Sequence, residues 1–231
     1  FEMCKSALLA GKNVVVEKPF VANSKDGIEL IALAKEKQLL LTVYHNKRLE
    51  GDFLSIQKLL QKGFFGELQN VEINSFRYKP TIGLKKWKEG DYPGAGLLYD
   101  IGSHLIDQAL QLFGSPISVK GSAKSQREGS AVVDCFIIKM QYKGFQVQLF
   151  ADFLLKDEIP SFIINGAEKS LVKFGSDPQE SALSQKTINW DTLGKYSVPL
   201  HITDHTSEKT EEIFPENGTY WNYYENIYQV L

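Results

Sequence analysis

The stretch 14-VVVEKPF-20 decides how the first part of the chain folds. Its three β-branched apolar residues show no alternation, which predicts a short strand buried on both faces, as in a parallel sheet. The strand ends at a charged pair, Glu17 and Lys18, and Pro19 then turns the chain. Ligands bind outside the carboxyl ends of such strands in open α/β sheets. A charged strand end that only meets solvent is the simpler interpretation.

The elements around this strand complete an α-β-α-β order. Residues 1–10 and 24–37 carry apolar side chains at helical spacing, and 39-LLLTVY-44 predicts a second buried strand. Asn23 or Ser24 is the expected N-cap of the second helix. This order is typical of the last part of a doubly wound α/β sheet.

After about residue 46 the pattern changes to that of an α+β domain. Helical spacing predicts helices over 52–62 and 99–113. Period-2 alternation predicts strands over 68–78, 117–125, 131–142, 145–155, 161–166 and 169–174. The dipeptide 143-KG-144 predicts a hairpin, and the polar region 176–195 predicts a surface loop. We therefore expect an open, mostly antiparallel sheet, and we divide the chain into domains at 1–47 and 48–231.

Composition excludes several classes of function. The 231 residues carry 26 basic and 28 acidic side chains in mixed order, a net charge of −2, so no basic surface for nucleic acid is expected. No run of 18 apolar residues predicts a membrane span. Cys4 and Cys135 match no metal-binding spacing and are interpreted as small buried apolar residues, which favours the reducing cytoplasm.

Both ends of the chain look like helices in progress. Residues 1–9 have no capping residue before them, and 220-YWNYYENIYQVL-231 breaks off within a helical pattern. We therefore expect the sequence to be a piece of a longer protein, although frayed terminal helices would give the same pattern.

The segment 94-GAGLLYDIGSHLID-107 carries the titratable groups that point to catalysis. Asp100 and His104 are one helical turn apart, so their side chains are expected on one face. Histidine is the usual general base, and a nearby carboxylate can orient it or hold a reacting hydroxyl. Gly102 would leave the helix surface bare for a substrate or cofactor ring. A helix histidine held by Asp100 or Asp107 is the simpler alternative, and a structural role is favoured for Asp107.

Two motifs together resemble one family. They are 7-ALLAGKNVVVEKP-19 and 94-GAGLLYDIGSHLID-107. The chain resembles the glucose-fructose oxidoreductase, inositol dehydrogenase and MocA (Gfo/Idh/MocA) family over essentially its whole length. It is most similar to a branch that includes NADP-dependent scyllo-inositol dehydrogenases, through 43-VYHNKRLEGDFLSIQKL-59, 175-GSDPQE-180 and 217-NGTYWNYYENI-227.

The resemblance implies a fold and a catalytic group. The fold would be the C-terminal part of a Rossmann domain followed by an α/β domain like the C-terminal domain of glyceraldehyde-3-phosphate dehydrogenase, whose sheet often forms an oligomer interface. Lys18, Asp100 and His104 match the family's catalytic positions, and either Lys18 or His104 could be the base. The glycine-rich loop of the family is absent from these residues. This chain alone is therefore expected to bind NADP or NAD poorly.

The implied function is an NAD(P)-dependent oxidoreductase that moves hydride between nicotinamide and a secondary alcohol of a polyol, inositol or sugar. Two alternatives on the same fold are an NAD-assisted glycosidase and a non-catalytic regulator that senses NADP or sugar. A regulator is disfavoured because all three catalytic positions are present. A small-molecule substrate and self-association through the sheet are the expected partners.

Other candidates lie near these groups. His45, Asn46 and Arg48 follow the second buried strand and could contact ligand or simply end the strand. We assign His45, Arg48 and Tyr99 to the substrate. Besides Glu17, Lys18 and Pro19, the predicted cofactor contacts are Asn46 and Trp87; a tryptophan packed on the sheet is the alternative for Trp87. No metal is assigned, because His201 and His205 have no partner at ligand spacing.

Overall fold

The computed structural model describes residues 1–186 and 188–231. Within them the helices are α1 (Glu2–Leu9), α2 (Ser24–Glu36), α3 (Gly51–Gln61), α4 (Lys86–Glu89), α5 (Ser103–Phe113), α6 (Pro178–Gln185) and α7 (Trp221–Val230). The strands are β1 (Val14–Val16), β2 (Leu41–Val43), β3 (Leu68–Phe76), β4 (Ser118–Lys124), β5 (Cys135–Gln141), β6 (Gln146–Asp152), β7 (Phe162–Gly166), β8 (Lys169–Lys173), β9 (Leu200–Asp204) and β10 (Thr210–Ile213).

The first 45 residues form a small parallel α/β unit. Strands β1 and β2 pair in parallel, with Val14 opposite Leu41. Helices α1 and α2 contribute Leu8 and Leu30 to one buried cluster with Val14. Because parallel strands end at the same edge, the residues that follow β1 and β2 are brought together. The α-β-α-β order expected from the sequence is confirmed.

A capping asparagine fixes where α2 begins. The side chain of Asn23 accepts a hydrogen bond from the backbone N–H of Asp26 at 3.0 Å, and Asn23 has extended dihedral angles. Of the two candidate caps, Asn23 is therefore the one used, and it satisfies an N–H that the first turn cannot bond.

The second sheet has eight strands in the order β10-β9-β8-β7-β3-β6-β5-β4. Its neighbours are antiparallel except for β3 and β6, which run in parallel with Ile73 opposite Leu149. The expected open, mostly antiparallel sheet is confirmed. Strands β5 and β6 are joined through Lys143 and Gly144, as the sequence predicts, and Gly144 adopts a φ of +89° there.

One face of this sheet forms the main core. Strand β6 alternates buried and half-buried residues, and its buried residues, such as Leu149, join the core. Helices α3 and α5 cover this face with Ile56, Leu105 and Ala109. The period-2 pattern in the sequence therefore reports one covered and one open face. Helix α5 follows the segment that carries Asp100, so the core fixes the position of that carboxylate.

The prediction of a surface loop over 176–195 is only partly correct: the described residues from 188 to 195 are a mostly exposed loop, residue 187 lies outside the described residues, and the first part is helical. It contains α6, whose first residue is Pro178 and whose N-cap is Asp177. Asp177 and Gln179 are buried, and the buried Tyr196 follows. Asp177 and Gln179 can be buried because hydrogen bonds satisfy their side chains. The Tyr196 hydroxyl donates to Asp177 at 3.0 Å, and Gln179 accepts from the backbone N–H of Tyr220 at 2.8 Å.

In the part of the chain that the structure describes, none of the helices combines the length and the apolar character that crossing a membrane requires.

Candidate active site

The site forms at the edge where β1 and β2 end. Lys18 follows β1 and His45 follows β2, and both side chains are largely shielded from solvent. The peptide bond between Lys18 and Pro19 is cis. The geometry therefore places the first of the predicted catalytic residues at the edge where ligands bind in α/β sheets.

Lys18 and Asp100 are 82 residues apart in the chain and in direct contact. The Lys18 ammonium donates to the Asp100 carboxylate at 2.8 Å and to the Asp100 backbone oxygen at 2.6 Å. Both side chains are about one-fifth exposed. The structure thus joins the two sequence motifs at one point, and it does so through a charge-assisted hydrogen bond.

A local irregularity presents Asp100. Residues Leu98–Gly102 form a π-helical turn that leads directly into α5. Such a turn holds one more residue than an α-helical turn and leaves backbone oxygens without their usual helical partners. The Asp100 oxygen that Lys18 binds belongs to this turn. Asp100 lies in the π turn and His104 in the first turn of α5, and the charge of Asp100 acts on His104.

Lys88, from α4, binds Asp100 as well and was not singled out from the sequence. Its ammonium donates to both carboxylate oxygens, at 2.8 and 2.9 Å. Burial alone would raise the pKa of Asp100, but the hydrogen bonds and positive charges of Lys18 and Lys88 outweigh it and lower the pKa to about 2. Asp100 is therefore a carboxylate at any physiological pH.

His104 lies beside this ion pair as a neutral base. It is 5% exposed, and its Nδ1 is buried without a hydrogen-bond partner among the described residues. Burial lowers the pKa of His104 to about 2, and the positive charges of Lys18 and Lys47 act in the same direction. A buried imidazole nitrogen without a partner is unusual, and it marks a position that a ligand could complete.

A second polar group lies next to His104. The rings of His45 and His104 are 6.3 Å apart between centroids. Arg48 donates to both oxygens of Asp107, at 2.7 and 2.5 Å. His45 Nδ1 is 3.6 Å from Asp107, which is too long for a hydrogen bond. Burial lowers the pKa of His45, so this imidazole also favours its neutral form.

The remaining predicted residues lie around this centre with different exposure. The hydroxyl of Tyr99 donates to the backbone oxygen of Ala22 at 3.3 Å. Trp87 is 64% exposed and so does not pack on the sheet; the ammonium of Lys88 lies 5.1 Å from its ring centroid. Glu17 is exposed, and Asn46 is half-buried at the start of the turn after β2.

Gly102 has a different role from the one expected. It is buried, and a side chain added there would come within 3.0 Å of Leu98 and 3.2 Å of Phe136. The glycine therefore allows the π turn to pack closely on β5 and does not leave a bare surface for a ligand ring.

A buried arginine anchors α4 and was also missed. The Arg127 side chain is fully buried; it donates to Glu89 at 2.7 Å, to Asp134 at 3.0 Å and to the Thr81 backbone oxygen at 3.2 Å. Since Glu89 follows Lys88 directly, this anchor holds Lys88 where it meets Asp100. No spacing rule distinguishes Lys88 from the other lysines of 84-LKKWKEG-90, which is why sequence reasoning passed over it.

The turn that carries Asn46 and Arg48 is held by distant residues. The backbone oxygen of Leu49 accepts from the backbone N–H of Thr219 at 2.9 Å and from the Gln179 side chain at 3.4 Å. Lys47 donates to the buried Glu50 at 2.6 Å. Helix α6 and the segment just before α7 therefore hold this turn in place.

Two family models match the chain. A model described as an oxidoreductase family with an NAD-binding Rossmann fold matches residues 1–45. A model described as the GFO/IDH/MocA C-terminal domain matches residues 53–172, which is about half of the chain.

Individual relatives match almost the whole chain. The chain is 36% identical to "scyllo-inositol 2-dehydrogenase (NADP(+)) IolW" of Bacillus subtilis, over 98% of this chain and 64% of that protein. It is 34% identical to the oxidoreductase YhhX of Escherichia coli, over 100% of this chain and 67% of that protein.

A solved structure of a Yersinia pestis oxidoreductase, YPO2259, superposes with a TM-score of 0.92 at 34% identity, covering 99% of this chain and 65% of that one. The chain spans between about half and two-thirds of the length of the five curated relatives that it matches over most of its own residues.

Proposed function

The chain belongs to the Gfo/Idh/MocA family of oxidoreductases, and from that premise we propose that it transfers hydride between NADP or NAD and a secondary alcohol of a polyol, inositol or sugar. The observation that supports the proposal most directly is the 2.8 Å contact between Lys18 and Asp100 beside the buried, neutral His104. A neutral imidazole can accept the hydroxyl proton during alcohol oxidation, and an ammonium held by a carboxylate can stabilise the negative charge on the oxygen.

The residues present fit the nicotinamide end of such a cofactor. The edge after β1 and β2 offers partly exposed polar groups, and the buried Nδ1 atoms of His45 and His104 have no hydrogen-bond partner among the residues that the structure covers. Glu17, Lys18, Pro19, Asn46 and Trp87 would hold this end. When bound, the nicotinamide supplies the hydride acceptor or donor.

Each residue of the centre has a distinct proposed role. The Lys18 ammonium stabilises negative charge on the substrate oxygen, and Asp100 holds Lys18 and the hydroxyl in place. His104 accepts the hydroxyl proton, which only a neutral imidazole can do. The negative charge that grows on the substrate oxygen raises the proton affinity of His104 as the proton moves. His45, Tyr99 and Arg48 would position the other hydroxyl groups.

Kinetics of single variants test these roles. In the full-length protein, Lys18→Gln and His104→Asn should each lower kcat/KM for polyol oxidation by at least about 100-fold, since each removes a group that acts on the reacting hydroxyl. Lys12→Gln, at an exposed lysine near the start of β1, is the matched control and should leave kcat/KM unchanged. Wild-type turnover in a folded Lys18→Gln protein would contradict the proposal.

We also propose that the protein self-associates and lies in the cytoplasm. The open face of the eight-stranded sheet would pair with a second copy of the chain. The free cysteines, half-buried Cys4 and buried Cys135, suit a reducing cytoplasm.

A further inference from the structure

More basic side chains lie near Asp100 than the two lysines that bond its carboxylate. Lys18 and Lys88 share its carboxylate. Arg77, just after β3, lines a small cavity together with Asp100 and Phe153. The ammonium of Lys79 lies over the Phe153 ring, 5.2 Å from its centroid.

Backbone hydrogen bonds hold Arg77 and Lys79 beside the cavity. The backbone N–H of Arg77 donates to the backbone oxygen of Asp152 at 3.3 Å, and that of Lys79 donates to the backbone oxygen of Phe153 at 2.7 Å. The chain after β3 thus runs along the end of β6, and hydrogen bonds fix the backbone of both cationic residues.

Nearby carboxylates do not neutralise these two cations. Within the described residues, no carboxylate oxygen lies within 4.0 Å of the charged nitrogens of Arg77 or Lys79. Asp100 is already shared by two lysines. Asp152, the other carboxylate that lines the cavity, accepts from Gln126 and from the backbone N–H of Leu154. Four cations therefore lie around two carboxylates.

The neighbouring Arg127 shows what a structural cation looks like in this region. Its guanidinium lies 4.9 Å from the same Phe153 ring but is fully buried and paired with both Glu89 and Asp134. Lys79 has no such pair. Burial lowers the pKa of Lys79, and the positive charges of Arg77 and Lys88 act in the same direction, against the opposing charges of Glu89 and Asp100. Lys79 thus lies near another cation, while the carboxylates close to it are already paired: Glu89 with Arg127, and Asp100 with Lys18 and Lys88. Such a cluster of like charges is common at binding sites.

We propose that the substrate is an acidic polyol or sugar, and that Arg77 and Lys79 bind its carboxylate or phosphate group while Lys18, Asp100 and His104 act on a hydroxyl elsewhere in the molecule. This inference rests on the proposed oxidoreductase function and narrows its substrate class. A planar guanidinium can bind either anion through two hydrogen bonds, and the lysine adds a mobile point charge.

Matched pairs of ligands test the inference on the full-length protein. Glucuronate and glucose form one pair, and glucose 6-phosphate and glucose form the other. Binding is measured by calorimetry, and oxidation is followed by nicotinamide absorbance with both NADP and NAD. The acidic member of at least one pair should bind about tenfold more tightly than its neutral partner, since one charged hydrogen bond contributes about that factor. The pair that shows the preference identifies carboxylate or phosphate.

Charge-removing variants locate the preference. Arg77→Gln and Lys79→Gln should each reduce the acid-to-neutral affinity ratio by about fivefold to tenfold, and Lys79→Arg should keep it. Lys120→Gln, at an exposed lysine on β4, removes the same charge away from the cavity and should leave the ratio unchanged. Thermal denaturation of every variant shows whether it is folded.

The outcomes separate this inference from the proposed function. Equal or tighter binding of the neutral sugars, or a preference that survives Arg77→Gln and Lys79→Gln, overturns the acidic-substrate inference even if a neutral polyol is oxidised. An acid preference that both variants remove supports the anion site. If that preference occurs without oxidation by either nucleotide, the proposed oxidoreductase function fails and the anion site remains.

Discussion

His104 shows at the scale of one residue how burial sets the chemistry of the site. Its imidazole is neutral because the folded protein shields it from water and surrounds it with lysines. Neutrality has an energetic consequence, because the unfolded chain exposes the same imidazole with an ordinary pKa of 6.5. The state of this residue can therefore be measured through stability, without any substrate.

We expect His104 to make stability depend on pH below neutrality. As the pH falls below 6.5, the unfolded chain gains a proton that the folded protein refuses, so the free energy of unfolding decreases. The slope should approach about 1.4 kcal/mol per pH unit between roughly pH 5.5 and 4.5. Asp100, whose pKa is lowered from 3.8 to about 2, adds to the loss from about pH 5 downward and does so mainly below pH 4.

Urea denaturation from pH 8 to 4.5 measures this slope. Taking wild type minus His104→Asn isolates the contribution of His104 from that of other groups, including the buried Glu50, whose pKa burial raises to about 7. His45→Asn is the matched control and should remove less of the slope, because His45 is more exposed. Parallel curves for wild type and His104→Asn would show that His104 is not held neutral.

The same scale shows what the sequence could predict about the site. Lys18, Asp100 and His104 were found because each stands in a motif with fixed spacing. Lys88 was not, because its position depends on the anchor between Glu89 and Arg127, which are 38 residues apart. Gly102 was misinterpreted because the sequence does not show that β5 passes behind it.

At the scale of elements, two glycines shape the entry to the π turn. Gly94 and Gly96 adopt φ values of +87° and +88°, which residues with a side chain rarely do. Their surroundings differ. A Cβ at Gly94 would have its nearest neighbour 3.8 Å away at Pro19, whereas one at Gly96 would be 3.0 Å from Val132 and from the Val133 backbone oxygen.

Alanine substitutions at these glycines should therefore have unequal effects. Gly94→Ala adds only backbone strain, so it should lower the free energy of unfolding by about 1–2 kcal/mol. Gly96→Ala also brings a methyl group too close to Val132 and Val133, in the loop before β5, and should lower the free energy of unfolding by at least about 1 kcal/mol more. Chemical denaturation of the two variants measures the difference. Equal losses would mean that the contact at Gly96 relaxes freely.

Helix α6 shows why one element was missed and another was not. Helix α2 has a strong apolar period, whereas α6 is rich in Ser and Gln and was predicted as loop. Its start signal was nevertheless present in the sequence, since 177-DP-178 places an N-cap before a proline in the first turn. Capping residues can therefore indicate a helix even where the hydrophobic pattern is weak.

At the scale of the whole molecule, the eight-stranded sheet has one face covered by helices and one open. Ile137 and Phe150 are neighbours on the open face, as are Ile163 and Val172, and all four are half-buried. Alternation in the sequence predicted two faces, but it could not predict strand order. The parallel pairing of β3 with β6 joins segments about 75 residues apart, and no local pattern reports it.

A charge on the open face should separate copies of the chain. Phe150→Lys or Ile163→Lys places an ammonium in the apolar centre of the proposed interface, so the assembly should dissociate to monomers at micromolar concentration. Light scattering after size-exclusion chromatography measures the mass. Val119→Lys, at an exposed residue of edge strand β4 on the opposite face, is the control and should leave the mass unchanged. A wild-type protein that is monomeric at high concentration would contradict the interface.

The hydrogen bonds from Thr219 and Gln179 to Leu49 connect residues late in the chain to the turn that borders the candidate site. A shift of Thr219 or Gln179 should therefore move residues 46–49, although about 130 to 170 positions separate them in sequence. A substitution near residue 219 should thus displace the imidazole of His45 while every strand of the sheet stays folded.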